Sequence, residues 1–477
     1  MYYCSLLVAI ALAADAASAE TILGAFVFSR HGDRTSKSTP PTSLTPLGYR
    51  EVFTQGTYYR DRYIAANSST RIRGIEPETV SLSQISVSVP EDSVLQNSAQ
   101  GWLQGLYPPV GSAAAGETLR NGSTISSPLD GYQLIPLGPV TTGSGADHEN
   151  QAWLQGATDC SKAKASSNAY FSSDSYQTLL TSTADLYQSL APVLLGTFTP
   201  DELSYRNAYA IWDHLNVGMI HNSTADSPAL DTVSDATMRE LAALASIHEF
   251  NLAFNASDPV RAIAGAVLAG DVLTALSKTI TSHSSHPKLT VQFGPYATFL
   301  SYFGLAQLSA AVDDDRFTGI PDYASSMAWE LVTNNASSDS IPSEDEISVR
   351  FLFNNGSSAT SPGLEPYPLF GQERVLLPWK EFVARTKEFA VIGQEQWCRV
   401  CGSDVGVCAG IIDAEVSSKK TPGGMSNAVA GVIGALVTLG VVLGMETLVL
   451  LLGGLRLTRK TPSAVHKEFD VASVEKK

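Results

Sequence analysis

Thr21-Ile-Leu-Gly-Ala-Phe-Val-Phe28 runs without interruption into Ser29-Arg-His-Gly-Asp-Arg34, and the reading of that junction decides the fold. A continuous apolar run of this length reads as a strand buried on both faces of a sheet, the pattern of α/β proteins. The polar residues therefore sit where a core strand ends. A Ser/Thr/Pro-rich loop follows to about Leu44, and Thr45-Pro46 has the form of an N-cap with proline in the first turn of a helix over 47–64.

Outward from this junction the pattern changes twice. Between about residues 108 and 286, helical spacing dominates in 176–194, 200–220, 235–253 and 260–280, separated by Ser/Gly-rich loops. Strand character returns at 289–293, 327–332 and 347–353. The expected architecture is an α/β domain built from both ends of this region, with a mostly helical domain inserted at about 108–286.

Arg30, His31 and Arg34 place an imidazole between two guanidiniums, and Gly32 lets a ligand approach the backbone. Phosphate monoester transfer asks for such a set: a nitrogen nucleophile and fixed planar donors for the phosphate oxygens, with no metal or cofactor required. The competing reading is a surface loop in which Asp33 pairs with an arginine. Its position directly after a core strand argues for a site instead.

The segment resembles the Arg-His-Gly-x-Arg element of the histidine acid phosphatases, the branch of the histidine phosphatase superfamily that includes phytases. Leu44-Thr-Pro-Leu-Gly-Tyr-Arg50 and Asn97-Ser-Ala-Gln-Gly-Trp-Leu-Gln-Gly-Leu-Tyr-Pro-Pro109 are similar to later family segments, in the same order. The resemblance implies a histidine-phosphatase-like fold and hydrolysis of phosphate monoesters through a phosphohistidine on His31. Arg30 and Arg34 would bind the phosphate.

Two departures accompany the matches. The family's further phosphate-binding arginine is absent from Pro90-Glu-Asp-Ser-Val-Leu-Gln96. The slots of its later His-Asp pair, a phosphate donor and the acid for the leaving oxygen, are filled by Pro295 and Tyr296. Proline donates no hydrogen bond, and a phenol with a reference pKa near 10 is a poor acid at low pH. Tyr296 is the candidate for the proton-donor slot, and His248-Glu249 would substitute only by reaching His31. The alternative function is a non-catalytic surface glycoprotein on the same fold.

Other polar clusters are weaker. His283 and His286 read as solvated loop residues, and Asp313-Asp-Asp315 as an exposed loop lacking other ligands at coordinating spacing.

Both ends of the chain point to export. Residues 1–19 read as a signal peptide ending in Ala17-Ser-Ala19, 20–416 as the ectodomain and 417–427 as a stalk. Residues 428–455 have the length and apolarity of a transmembrane helix, leaving 456–477 as a cytoplasmic tail. Gly440 and Gly444 offer a small-residue face through which that helix would form a homodimer.

Asn-x-Ser/Thr sites at Asn67, Asn121, Asn222, Asn255, Asn335 and Asn355 all fall in the expected ectodomain. Removal of Cys4 with the signal would leave Cys160, Cys398, Cys401 and Cys408 for two disulfides, with three pairings open. The formal charge of -16 excludes nucleic acid as a general partner. Any phosphate substrate needs a local basic site.

Residues 20 to about 420, expressed without the apolar C-terminal stretch, are expected to be secreted, soluble and glycosylated. Fractionation with and without glycosidase checks this. Retention of the truncated chain in the membrane pellet would refute the assigned topology.

Overall fold

The computed structural model describes residues 20–409 except 112–115, 141–158, 226, 283–285, 313–314, 336–341, 358–360 and 406–407. The expected signal peptide, stalk, membrane helix and tail lie outside the described residues, as do His283, Asp313 and Asp314.

In chain order the strands are β1 (Thr21–Ser29), β2 (Ile85–Pro90), β3 (Gly116–Thr118), β4 (Thr124–Ser126), β5 (Gly138–Val140), β6 (Leu289–Phe293), β7 (Ser326–Thr333), β8 (Ile347–Asn354), β9 (Glu365–Pro366) and β10 (Leu376–Pro378). The main sheet runs β10-β8-β7-β1-β6-β2-β5, with β9 beside β8 and a separate β3-β4 hairpin. β1 lies at its centre, parallel to β6 from Ala25↔Leu289 to Ser29↔Phe293 and antiparallel to β7.

Every residue of β1 after Thr21 is buried, because both faces of the sheet are covered. On one side Ala25 and Val27 join a core with residues of α1 (Pro46–Tyr63) and α2 (Ser93–Leu106). On the other, Leu23, Phe26 and Phe28 meet residues later in the chain, among them Leu268, Val272 and Phe299. Ile22 shares the side of Ala25 because a register irregularity between Ile22 and Gly24 resets the alternation.

The expected N-cap is present: the Thr45 side chain accepts from the Gly48 N–H at 3.0 Å, with Pro46 in the first turn of α1. Asp92 caps α2 by accepting from the Leu95 N–H at 2.8 Å. α1 and α2 approach backbone to backbone. A Cβ on Gly56 would collide with the Trp102 carbonyl, so only glycine fits that crossing.

The helical stretch contains α3 (Ser161–Ala169), α4 (Ala208–His221), α5 (Asp235–Ala253) and α6 (Ile263–Ser282). Residues from Tyr170 to Leu244, among them Tyr205, Ile211, Leu215 and Leu241, form a core of their own. α7 (Tyr296–Leu305) follows β6. The stretch read as helical differs from the sequence reading in three ways: 176–194 is broken into short helices, the helix expected over 200–220 begins only at Ala208, and the stretch also holds β3, β4 and β5, the last of which pairs with β2 in the main sheet. A three-residue Gly-Pro-Val strand carries no periodic signal.

Among the described residues, Pro259–Thr281 is the one helix long and apolar enough to cross a membrane, and 72% of its most apolar window is buried inside the fold. It overlaps α6 and serves as a core helix. Disulfides join Cys160 to Cys401 and Cys398 to Cys408, linking the start of α3 to α8 (Gly393–Cys401). Asn67, Asn121, Asn222 and Asn355 are exposed, and Asn255 and Asn335 half-buried.

Glu330 on β7 is fully buried and accepts from Arg62 Nε at 2.8 Å, Tyr63 O–H at 2.8 Å and Arg350 Nε at 2.8 Å. Glu330→Ala would leave two largely buried guanidiniums without their shared carboxylate. It is expected to lower stability by about 3 kcal/mol or more, measured by chemical denaturation.

Candidate functional site

Residues 29–34 leave the sheet at the C-terminal end of β1, and their backbone is fixed from several elements. Arg30 N–H donates to the Ser325 carbonyl at 2.8 Å, and the His31 carbonyl accepts from Ala324 N–H at 2.8 Å. Gly32 N–H donates to Ser98 Oγ at 3.3 Å, and Asp33 N–H to Glu51 Oε2 at 2.8 Å. The Asp33 carbonyl accepts from Thr45 N–H at 3.1 Å. Strand ends, α1 and α2 thus all hold one loop.

Glycine makes that packing possible. A Cβ on Gly32 would strike the Gly48 carbonyl, and one on Gly48 would strike the Asp33 backbone. Gly48 belongs to the Leu44-to-Arg50 segment already noted, so the loop and the start of α1 form one close-packed unit.

His31 is 1% exposed and its Nδ1 lies 2.8 Å from the Gly32 carbonyl oxygen. A carbonyl only accepts, so Nδ1 carries the hydrogen and Nε2 carries the lone pair in the neutral ring. Burial first, then the charges of Arg30 and Arg34, hold the imidazole well below the usual histidine value. The ring is therefore neutral and in the tautomer a nucleophile requires.

The two arginines are engaged differently. The Arg30 guanidinium donates to the Pro321 carbonyl and lies 4.6 Å from the Tyr323 ring centroid and 5.4 Å from that of Tyr296. Arg34 is bound on both terminal nitrogens by Asp213, at 3.0 and 3.3 Å, and donates to the Tyr209 hydroxyl at 2.9 Å. Burial opposes its charge, but Tyr209 and Asp213 more than offset that and hold the guanidinium above its ordinary value. Asp213 also accepts from Ser36 Oγ at 3.1 Å and Lys37 N–H at 3.0 Å. One carboxylate from α4 thereby ties the helical stretch to the Arg-His-Gly loop.

Tyr296 stands in the first turn of α7, after Pro295, and packs on Tyr209 with ring centroids 4.8 Å apart. Its hydroxyl donates to Glu249 Oε2 at 2.8 Å, while Glu249 Oε1 meets His248 Nδ1 at 2.8 Å. Burial and the Glu249 charge push the phenol well above its usual value. His248-Glu249 is thus joined to the loop through Tyr296, whose proton is already directed at a carboxylate.

The structure brings His31, Arg30, Arg34 and Tyr296 together, and adds Asp213, Tyr209 and Tyr323, which the sequence reading missed. Asp213 had one local signal, being the only acidic residue of α4 and flanked by Ile211, Trp212 and Leu215. The tyrosines had none. Beside the loop, a cavity of about 670 Å³ is lined by Thr35, Ser36, Thr45, His214 and His221 among others. His221 Nε2 lies there 2.6 Å from Asp33 Oδ1.

No protein-family model matches the chain, and no curated protein matches it significantly. Solved structures do. The apo form of Hafnia alvei phytase superposes with a TM-score of 0.53 at 12% identity, covering 80% of this chain and 98% of that one. Klebsiella sp. ASR1 phytase gives 0.53 at 13% identity, covering 82% and 98%. The likeness establishes the shared mixed α/β fold.

The lowered value of His31 has a consequence for stability. Above about pH 6.5 the ring is neutral in both the folded and unfolded chain, and its neutral burial carries no proton-linked penalty. As pH falls below that, the unfolded chain takes up the proton first, and stability is lost until the folded ring also protonates. The difference in unfolding free energy between wild type and His31→Gln is therefore expected to be flat above about pH 6.5 and to move against the wild type on acidification. Denaturation series across pH check it, and an ordinary histidine titration of His31 by NMR would contradict it.

Proposed function

We propose that this chain is a phosphate monoester hydrolase of the histidine acid phosphatase type, with His31 as nucleophile and Arg30 and Arg34 as phosphate-binding residues. The observation that carries this reading is the hydrogen bond from His31 Nδ1 to the Gly32 carbonyl, which leaves the lone pair on Nε2 of a ring that feels the charges of both Arg30 and Arg34. The fold shared with two phytases supports it. Nε2 attacks phosphorus, the ester P–O bond breaks, and the alcohol oxygen leaves with the bonding electrons. Water then attacks the phosphohistidine, releasing inorganic phosphate and restoring the neutral ring.

The weak step is departure of the alcohol. Tyr296, in the proton-donor slot, donates to Glu249 and is held well above its ordinary value, so it is a poor acid. Loss of a general acid costs about 10²- to 10⁴-fold. The export signal, glycosylation and membrane helix read from the sequence make this an anchored ectodomain facing the lumen or the cell exterior, with its membrane helix self-associating as a dimer.

A second reading, a non-catalytic protein on the same fold, is favoured by the Arg34–Asp213 pair, whose side chains are 0% and 1% exposed. Asp213 takes the bidentate position that a phosphate would need on Arg34. On this reading the arginine is structural, a clamp between the loop and α4.

The two readings diverge in assay. A hydrolase lacking its acid should cleave aryl phosphates with acidic phenols and cleave alkyl phosphates far more slowly, without added metal. That activity should vanish in His31→Ala and fall about 10²-fold in Arg30→Ala. Asp213→Asn should tighten competitive inhibition by inorganic phosphate by releasing Arg34. No turnover of any ester, in wild type and Asp213→Asn alike, would establish the non-catalytic reading, and activity undiminished in His31→Ala would reject His31 as nucleophile.

A further inference from the structure

Away from the Arg-His-Gly loop, the two faces of β2 and β6 are unlike. Toward α1 and α2 they present Val87, Val89, Leu289 and Val291, all buried in the core. On the opposite face they present hydroxyls and an amide, in cross-strand register as Ser86↔Thr290 and Ser88↔Gln292. A helix laid on a sheet normally meets it with an apolar stripe. Here α6 instead turns Asp271 and Lys278 toward these strands, at the seven-residue spacing that keeps them on one helix face. Between helix and strands lies a cavity of about 460 Å³, within the range of small-molecule sites.

Gln292 shows what the cavity lacks. It is 2% exposed, its Nε2 donates to Asp271 Oδ2 at 3.2 Å, and its Oε1 has no partner among the described residues. A buried carbonyl oxygen without a donor is uncommon and calls for an explanation, an absent ligand being one. Asp271 supports the same view, because burial pushes its carboxyl up to about 6, so that it is ionised at neutral pH yet short of solvent. The amide oxygen and the carboxylate are both acceptors held side by side. They ask for paired donors, as vicinal hydroxyls supply. The exposed Lys278 puts a positive charge at the rim, which disfavours entry of a cationic amine, while Ser88 and Thr290 both donate and accept.

We propose that this cavity is a second ligand site, separate from His31, which binds a small neutral polyol of monosaccharide or cyclitol size through the Gln292–Asp271 acceptor pair. The hydroxyls of Ser88 and Thr290 take the ligand's remaining donors and acceptors. The site is independent of catalysis, so it stands or falls apart from the phosphatase reading.

Full-length protein in detergent is titrated with D-glucose, D-mannitol and myo-inositol, with saturation-transfer NMR as readout. At least one polyol should bind saturably, in His31→Ala as in wild type, and roughly tenfold more weakly in Gln292→Leu, the loss expected for one buried acceptor. Ser88→Val, at a half-buried position of β2, should weaken binding in the same direction and serves if Gln292→Leu does not fold. Absence of saturation by all three polyols up to about 100 mM would overturn the proposal. So would affinity unchanged in both variants, or stronger binding of butylamine than of any polyol.

Discussion

Five backbone hydrogen bonds converge on residues 30–33, from the Ser325 carbonyl, the Ala324 amide, Ser98, Glu51 and the Thr45 amide. They come from three places in the chain far apart in sequence, the start of α1, α2 and the turn before β7, and they fix the loop only because β1 is pinned between a parallel and an antiparallel neighbour. The antiparallel β7 starts where β1 ends, Ser29 facing Ser326, so the turn before β7 brings Ala324 and Ser325 against Arg30 and His31. The position of the imidazole is thus a property of the whole sheet. Rigid elements of this kind hold a side chain more closely than a free loop does.

That rigidity has an electrostatic counterpart. Two buried guanidiniums beside His31 disfavour its protonation, while the Gly32 carbonyl selects which nitrogen keeps the hydrogen. The guanidiniums are themselves tolerable in so buried a place because each has a counterweight. Asp213 neutralises Arg34, and the π faces of Tyr323 and Tyr296 lie against Arg30. On the proposed phosphatase reading, the groups that stabilise the resting site are therefore the same groups that would compete with a phosphate for it.

Much of the fold was legible locally. β1, β6, β7 and β8 are continuous or alternating apolar runs, and α1 begins at a Thr-Pro cap, features set by neighbouring residues alone. β5 was not, being three residues paired to β2 across about fifty positions. The expected helix over 176–194 is three short helices, 174–182, 184–189 and 191–194, broken at Thr183 and Leu190. In the site, His31, Arg30 and Arg34 are contiguous and so were visible. Asp213 acts across 179 residues, Tyr209 and Tyr323 come from separate parts of the chain, and no local pattern encodes such pairings. The cysteine pairing likewise needed the tertiary arrangement.

The charge balance at the loop bears on what the site can do. Of the two guanidinium charges of Arg30 and Arg34, that of Arg34 is already matched by Asp213, so on the proposed reading Arg30 is the arginine whose charge no carboxylate pairs directly among the described residues when a phosphate monoester dianion arrives. The chain as a whole carries -16, so its far field opposes the approach of that dianion as well. On the proposed phosphatase reading, binding would depend on the phosphate displacing Asp213 from Arg34, a bidentate contact exchanged for another of the same geometry. Such an exchange gains affinity only to the extent that Asp213 finds compensation elsewhere, and Ser36 Oγ and Lys37 N–H already provide two donors that do not belong to Arg34. A carboxylate so supported can lose the arginine without being left bare, which makes the Arg34–Asp213 contact the point at which a closed site would open.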